Sequence, residues 1–324
     1  MCFDDATILI TGGTGSFGKA CAEHLLTRHK PKKVIIFSRD EFKQYEMAKV
    51  LPPEKYPALR YFIGDVRDRQ RLYRALDNVD YVIHAAALKH VPTAEYNPLE
   101  AVKTNINGAA NLIDAAIDMK VKKVLALSTD KAVGPVNLYG ATKLCSDKLF
   151  TAANAYSTTT RFSIVRYGNV LGSRGSVIPL FMKQRETGLL TVTDPRMTRF
   201  WIALDAGVRF VLNGLKRATG GEILVPKLPS MNMMDLARAI GPDCEIKVTG
   251  VRPGEKIHEL MIPRDEGRNT REFEDCYIIM SPFSHWLQFD EMPGKAVDDA
   301  FEYSSESNPW KLTVEELRSM LGLG

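Results

Sequence analysis

Six short runs of consecutive apolar residues punctuate the first half of the chain. They are Thr7-Ile8-Leu9-Ile10-Thr11, Lys33-Val34-Ile35-Ile36-Phe37, Leu59 to Ile63, Tyr81-Val82-Ile83-His84, Val124-Leu125-Ala126-Leu127 and Arg161 to Tyr167. Runs of this length predict strands buried on both faces. Between them Lys19 to Arg28, Asn97 to Met119 and Leu138 to Asn154 read as helices, the last with Leu138, Ala141, Leu144, Cys145, Leu149, Ala152 and Ala153 at helical spacing. Strand and helix in repeated alternation predict an α/β fold around a doubly wound parallel sheet. After Tyr167 the alternation weakens, and Pro, Met, Arg and short turns become more frequent. A second, smaller α/β unit is expected there, with a helix from about Val177 to Glu186 and a closing amphipathic helix from Thr313 to Leu323, Thr313 being the cap before Glu315 and Glu316.

The first strand runs directly into Gly12-Gly13-Thr14-Gly15-Ser16-Phe17-Gly18, and a helix follows. Glycines at 12, 15 and 18 permit a tight turn and let backbone amides approach a pyrophosphate at the helix N-terminus. Strand, turn and helix in that order point to a dinucleotide-binding Rossmann-type unit over residues 1-167, to which the chain returns around 200-225. Residues 168-324 then form mainly the substrate-binding unit. The tip of the second strand carries Ser38-Arg39-Asp40-Glu41-Phe42-Lys43. Ser38 and Arg39 precede the acidic Asp40, and Arg39 with Lys43 suits a ribose 2′-phosphate, so NADP is the expected cofactor. Asp65 and Val66 after the third strand are placed at the adenine edge. Ala85, Ala86 and Ala87 after the fourth are small enough for the cofactor to lie against the backbone. Lys89 reaches cofactor or substrate, and Thr104 is counted with the cofactor residues. His84 reads as a core histidine, and no metal-ligand spacing is present.

The fifth strand ends in Ser128-Thr129-Asp130-Lys131, and the helix after Gly134-Pro135 puts Tyr139 and Lys143 four residues apart on one face. A tyrosine acts as a base near neutrality only if its pKa falls from about 10 to about 7, worth about 4 kcal/mol of phenolate stabilisation. The expected source is the Lys143 ammonium together with a cationic nicotinamide ring. In the second half Arg174, Arg199 and Arg252 lie on separate loops, and together they form a candidate clamp for an anionic substrate.

Composition narrows the picture. The formal charge is +4, from 43 basic and 39 acidic residues, with no dense basic block carrying aromatics, which argues against a nucleic-acid partner. Five scattered cysteines with no C-x-x-C pair argue against a disulfide framework or a thiolate zinc site and fit a reducing cytoplasm. The start of the chain has no signal-peptide pattern and no apolar run approaches about 18 residues, so a protein neither secreted nor membrane-spanning is expected.

Several stretches resemble the extended short-chain dehydrogenase/reductases, the nucleotide-sugar epimerases and dehydratases, over essentially the whole chain. They are residues 11-19, 38-41, 62-68, 84-92, 127-131, 138-143, 166-170 and 252-256. Within that family Thr129-Asp130-Lys131 is similar to the 4,6-dehydratases that invert C5 of UDP-N-acetylglucosamine in pseudaminic acid synthesis; the retaining ones look like Thr-Asp-Glu there. The resemblance implies that Tyr139, lowered by Lys143, takes the 4-hydroxyl proton, Thr129 holds that hydroxyl, neutral Lys131 removes the C5 proton and Asp130 is the acid for the 6-hydroxyl. It also implies UDP-sugar contacts from Asn169, Val170, Arg174, Gly175, Ser176, Val177, Ile178, Thr193, Met197, Arg199 and Arg252 to Glu255, and a homo-oligomer, dimer or hexamer. Two alternatives stay open: a related UDP-sugar dehydratase or epimerase serving capsule or O-antigen, and a non-catalytic NADP-binding regulator, against which the presence of Tyr139, Lys143 and Asp130 speaks.

Overall fold

A computed structural model of the protein describes residues 3–173, 175–281 and 294–323. The six apolar runs are strands β1 (Thr7–Thr11), β2 (Lys33–Ser38), β3 (Leu59–Ile63), β4 (Tyr81–His84), β5 (Lys123–Thr129) and β6 (Arg161–Tyr167). They pair in parallel in the order 3-2-1-4-5-6, with Leu9 opposite Ile35 on one side and Val82 on the other. Ile223–Pro226 then joins β6 in parallel, and Cys276–Ile279, Thr270–Glu272 and Lys295–Ala296 extend the sheet antiparallel to ten strands.

The strands are apolar throughout because both faces are covered. Ile8 and Ile10 pack with Cys21 and Leu25 of helix Ser16–Arg28 and with Val208, Val211, Leu212 and Leu215 of helix Leu204–Arg217. Leu9 points the other way, into a layer with Leu112 and Ile113 of helix Gly108–Asp118 and Phe150 of helix Leu138–Ala153. The long helix expected over Asn97 to Met119 is broken into Pro98–Val102, a π-helical turn at Lys103–Asn107, and Gly108–Asp118. The extra residue in that turn aims Asn105 across the chain. Its Oδ1 accepts from Leu88 N at 2.8 Å, and its Nδ2 donates to Leu88 O and to Thr142 Oγ1, each at 2.9 Å.

A further core forms from Ile178, Phe181, Leu190, Val192, Met197, Trp201, Leu236, Ile240 and Leu317. It gathers helices Val177–Arg185 and Met233–Ile240 with the parallel pair Leu189–Val192 and Glu245–Val248. The closing helix is Val314–Leu321, and its start is a reciprocal cap: Glu316 N donates to Thr313 Oγ1 and Thr313 N to the Glu316 carboxylate. Cys21, Cys145, Cys244 and Cys276 are unpaired. No helix among the described residues is long and apolar enough to cross a membrane.

Candidate active site

The sheet order reverses between β1 and β4, and the crevice outside their carboxyl ends is where an open α/β sheet takes its ligand. A cleft of about 1090 Å³ opens there. One wall is Gly12, Thr14, Gly15, Ser16, Phe17, Gly18, Lys43 and Ala85 to Ala87. Gly12 has φ +64°, and a Cβ on it would meet the Ala86 backbone at 2.9 Å; a Cβ on Gly18 would lie 2.5 Å from Gly13 Cα. The turn therefore closes on glycine alone. Helix Ser16–Arg28 behind it has no side-chain cap and no acidic residue in its first turn, which leaves an end suited to an anion. A cleft-facing glycine turn, small alanines and an uncapped helix fit a dinucleotide.

The other predicted cofactor residues are placed differently. Ser38 is buried with its hydroxyl 2.9 Å from Thr14 Oγ1, beneath the cleft wall rather than on it. Asp40 caps helix Glu41–Val50 by accepting from Lys43 N, and pairs with Lys43 Nζ at 2.8 Å, which holds its carboxyl below the usual range. Arg39 is half-exposed, 3.7 Å from Asp65, and Asp65 is itself taken up by Arg67 at 2.7 Å. Val66 is buried beneath Gly108, and Thr104 is buried with an unpartnered hydroxyl. Asp65 and Val66 thus lie off the cleft wall, because a local ion pair and the Gly108 packing claim them, and Thr104 lies off it inside the π-helical turn.

The catalytic candidates converge. Thr129 ends β5, and Asp130–Ala132 is a single 3-10 turn. Helix Leu138–Ala153 is capped by Asn137, whose Nδ2 also donates to Gly254 O at 2.8 Å and so ties the Arg252 loop to the helix start. Gly140 lets the helix pass against the turn, since any Cβ there would collide with Lys131 O. Thr129, Lys131, Tyr139 and Lys143 all line the cleft, with Asp130 fully buried just behind. Asp130 Oδ1 accepts from Thr129 Oγ1 at 2.9 Å and from Lys131 Nζ at 3.0 Å, while Oδ2 is buried without a partner.

Two electrostatic expectations are corrected. Lys131 is not neutral: burial works against its charge, but Asp130 and Glu259, whose Oε1 is 3.1 Å from Nζ, outweigh it and hold the ammonium above the ordinary lysine range. Tyr139 is not lowered at rest. Burial pushes its phenol up to about 12, and Lys131, rather than Lys143, is the ammonium that pulls it down, with Thr129 assisting and Asp130 opposing. Lys143 is depressed by burial and faces Asp147, one helical turn on. Asp147, a residue the motif reading missed, accepts from Ser128 Oγ at 2.6 Å, and burial raises its carboxyl. Its i, i+4 spacing from Lys143 was the available signal. Glu259 offered none.

The cleft also brings together Asn169, Val170, Gly175, Ser176, Val177, Thr193, Met197, Arg199, Arg252 and Glu255, and Lys89 lines it too. Thr193 Oγ1 donates to Met197 Sδ at 3.1 Å. Ile178 is in the core instead, and Arg174 lies outside the described residues. Arg199 is corrected from open clamp to strut. Its guanidinium donates to the carbonyl of Thr198, its strand neighbour, and to those of Ile257 and Lys256 on the loop that folds over it, at 2.7 to 2.9 Å. Arg252 is exposed and, among the described residues, pairs with Glu255 at 2.9 Å.

Residues 8–281 match the family described as "Polysaccharide biosynthesis protein". The chain is 54% identical to a UDP-N-acetylglucosamine 4,6-dehydratase (inverting) of Campylobacter jejuni, over 98% of both chains. It is 40% identical to a UDP-glucose 4-epimerase of Rickettsia canadensis over 98% of this chain and 96% of that one. The X-ray structure of Pen from Bacillus thuringiensis, 40% identical, superposes over the full length of both with a TM-score of 0.91. The chain belongs to this polysaccharide-biosynthesis family of nucleotide-sugar dehydratases and epimerases.

Proposed function

We propose that the protein dehydrates UDP-N-acetylglucosamine across C4 to C6 with inversion at C5, giving UDP-2-acetamido-2,6-dideoxy-4-keto-L-arabino-hexose. The observation that carries this reading is the Lys131–Asp130 pair, which faces the same cleft as Tyr139 and Lys143. Gly12, Thr14 to Gly18 and Ala85 to Ala87 would hold NADP, with Arg39 and Lys43 supplying the charge for a 2′-phosphate. A bound nicotinamide supplies the hydride acceptor at C4 and the donor at C6.

The chain's own residues then move protons. Tyr139 takes the proton of the 4-hydroxyl, which Thr129 orients. The resulting 4-keto group acidifies C5. One proton passing from Lys131 Nζ to Asp130 over 3.0 Å breaks an N–H bond, forms an O–H bond and makes a base and an acid in one event. The amine takes the C5 proton, the acid protonates the departing 6-hydroxyl, and water leaves. The ammonium–carboxylate pair is then restored, and as C6 is reduced a proton enters C5 on the opposite face while Tyr139 gives up the proton it took. Arg252, Lys89 and the backbone at Gly175 to Val177 support the diphosphate, and Asn169, Val170, Thr193, Met197 and Glu255 the rest of the UDP-sugar. The reading extends to a cytoplasmic homo-oligomer, dimer or hexamer, serving pseudaminic acid synthesis and flagellin decoration, with a cofactor unit over 1-167 and a mainly substrate unit over 168-324.

Proton NMR with UDP-N-acetylglucosamine in deuterated buffer, without added cofactor, tests it. A 6-deoxy-4-keto product deuterated at C5, with the inverted sugar's couplings, is expected. A C5-retained product removes the Lys131 role, and a product that keeps its 6-hydroxyl favours the epimerase activity that the 40% relative suggests.

A further inference from the structure

Two carboxylates hold the Lys131 ammonium, and the chemistry above uses only Asp130. The other is Glu259. It arrives from far along the chain, and its backbone is clamped: Glu259 N donates to Ser305 Oγ at 2.9 Å, and Ser305 N donates to Glu259 O at 2.8 Å. The side chain is about as buried as a core leucine, at 3% exposure, yet the residue lines the cleft. Oε1 is 3.1 Å from Lys131 Nζ and 3.9 Å from Arg199 Nε. Oε2 is buried with no hydrogen-bond partner, and Lys256 Nζ stands 3.7 Å away, committed to Val133 O on the Asp130 turn. A buried carboxylate with one oxygen unsatisfied is expensive for the fold to keep. Its nearest charged contact is the nitrogen that must change its protonation state.

Resting on the dehydratase reading, we infer that Glu259 is a positioning residue for Lys131: it fixes Nζ opposite Asp130, and its charge sets the pH at which that nitrogen becomes an amine. Lysine carries its charge on a flexible four-carbon stem, so a single carboxylate would leave the head free to swing. Asp130 and Glu259 on two sides hold it in line with the cleft. Charged and titratable groups facing Lys131 are Asp130 on its own turn, Tyr139 on the following helix, Lys89 after β4, Arg199 on its strut, and Lys256 and Glu259 on the returning loop. Three of these are cations that favour the amine. Glu259 is the anion that opposes them without itself taking part in the elimination.

The sign follows. Removing a negative charge 3.1 Å from Nζ destabilises the ammonium, so the amine forms at lower pH. The test is the rate of deuterium incorporation at C5 as a function of pH, for wild type, Glu259→Gln and Glu259→Asp. In Glu259→Gln the alkaline limb, where solvent takes the Lys131 proton that Asp130 needs, should move to lower pH by about 1–3 units, whereas Glu259→Asp, which keeps the charge, should stay close to wild type. A Glu259→Gln curve that superimposes on wild type, or is scaled down with an unmoved limb, overturns the inference. So does a Glu259→Asp limb displaced as far as that of Glu259→Gln. Wild type that leaves UDP-N-acetylglucosamine untouched overturns the dehydratase reading itself. Should Glu259→Gln be inactive, lysine Nζ resonances in 15N-labelled protein decide, with the Lys131 signal identified by its loss in Lys131→Met. Deprotonation at lower pH in Glu259→Gln than in wild type supports the inference, and deprotonation at the same pH overturns it.

Discussion

His84 closes β4 directly behind the alanine wall of the cleft and is wholly buried. Thr11 Oγ1 lies 2.8 Å from its Nδ1 and accepts from Ala85 N and Ala86 N, each at 3.2 Å. Those amides occupy the lone pairs of the hydroxyl oxygen, so the hydroxyl donates to Nδ1 and the ring's own proton sits on Nε2. Acid must place a proton on Nδ1, against an oxygen with nothing left to accept it. Burial, with the charge of Lys143 adding to it, takes the imidazole down to about 3, against 6.5 in an unfolded chain. The folded value is the depressed one, so the unfolded chain binds the proton first. His84 therefore contributes stability that is complete above pH 6.5 and is lost as pH falls through 6.5 towards 3. The loss amounts to about 2 kcal/mol at pH 5 and about 4 kcal/mol at pH 3. Urea unfolding of wild type and His84→Asn over pH 8 to 5 measures it, since asparagine can accept from Thr11 and does not titrate. His24 and His29 are also depressed by burial and tilt both proteins equally, so the difference between them isolates His84. Superimposable pH slopes would refute the neutral, hydroxyl-bonded imidazole.

Two further substitutions probe the cleft. Gly18→Ala puts a methyl 2.5 Å from Gly13 Cα and O, backbone atoms that cannot swing aside; overpacking of about 1–3 kcal/mol should weaken NADPH binding about 10- to 100-fold in a fluorescence titration, and unaltered binding would show that the turn does not hold the cofactor. Asp147→Asn leaves the buried Lys143 without the carboxylate that supports its charge; about 3–5 kcal/mol of stability should go in urea, whereas an unchanged midpoint would mean that Lys143 is already uncharged in the fold.

The six strands were legible because a strand covered on both faces needs no polar alternation, and each run fell within a residue or two of the observed element. The helix over Asn97 to Met119 was read as continuous because periodicity cannot see Asn105 being drawn to Leu88 and Thr142, which lie on other segments. Helix Leu204–Arg217 went unnamed although Val208, Val211, Leu212 and Leu215 carry its period. In the site, Thr129, Asp130, Lys131, Tyr139 and Lys143 were legible because they lie within one strand, turn and helix. Their charge states were not. Glu259 acquires its meaning only where the returning loop meets the Asp130 turn, and Arg199 loses its clamp role only when the carbonyls of Lys256 and Ile257 fold over it.

The Tyr-x-x-x-Lys spacing alone assigns the wrong lysine to the resting phenol, and this bears on the order of the proposed steps. Both lysines line the cleft, but Lys143 answers to Asp147, while Lys131 answers to Asp130 and Glu259 and acts on Tyr139. While Lys131 is an ammonium it favours the phenolate, which is the state needed to take the 4-hydroxyl proton. Once its proton has passed to Asp130, the pull of Lys131 and the smaller opposition of Asp130 vanish together, and the phenol keeps the proton it has gained. The same transfer that arms Lys131 for C5 and Asp130 for the 6-hydroxyl therefore secures the proton on Tyr139. In the proposed sequence oxidation at C4 belongs to the charged form of the pair and elimination to the neutral form, so the electrostatics of one partly buried lysine set their order.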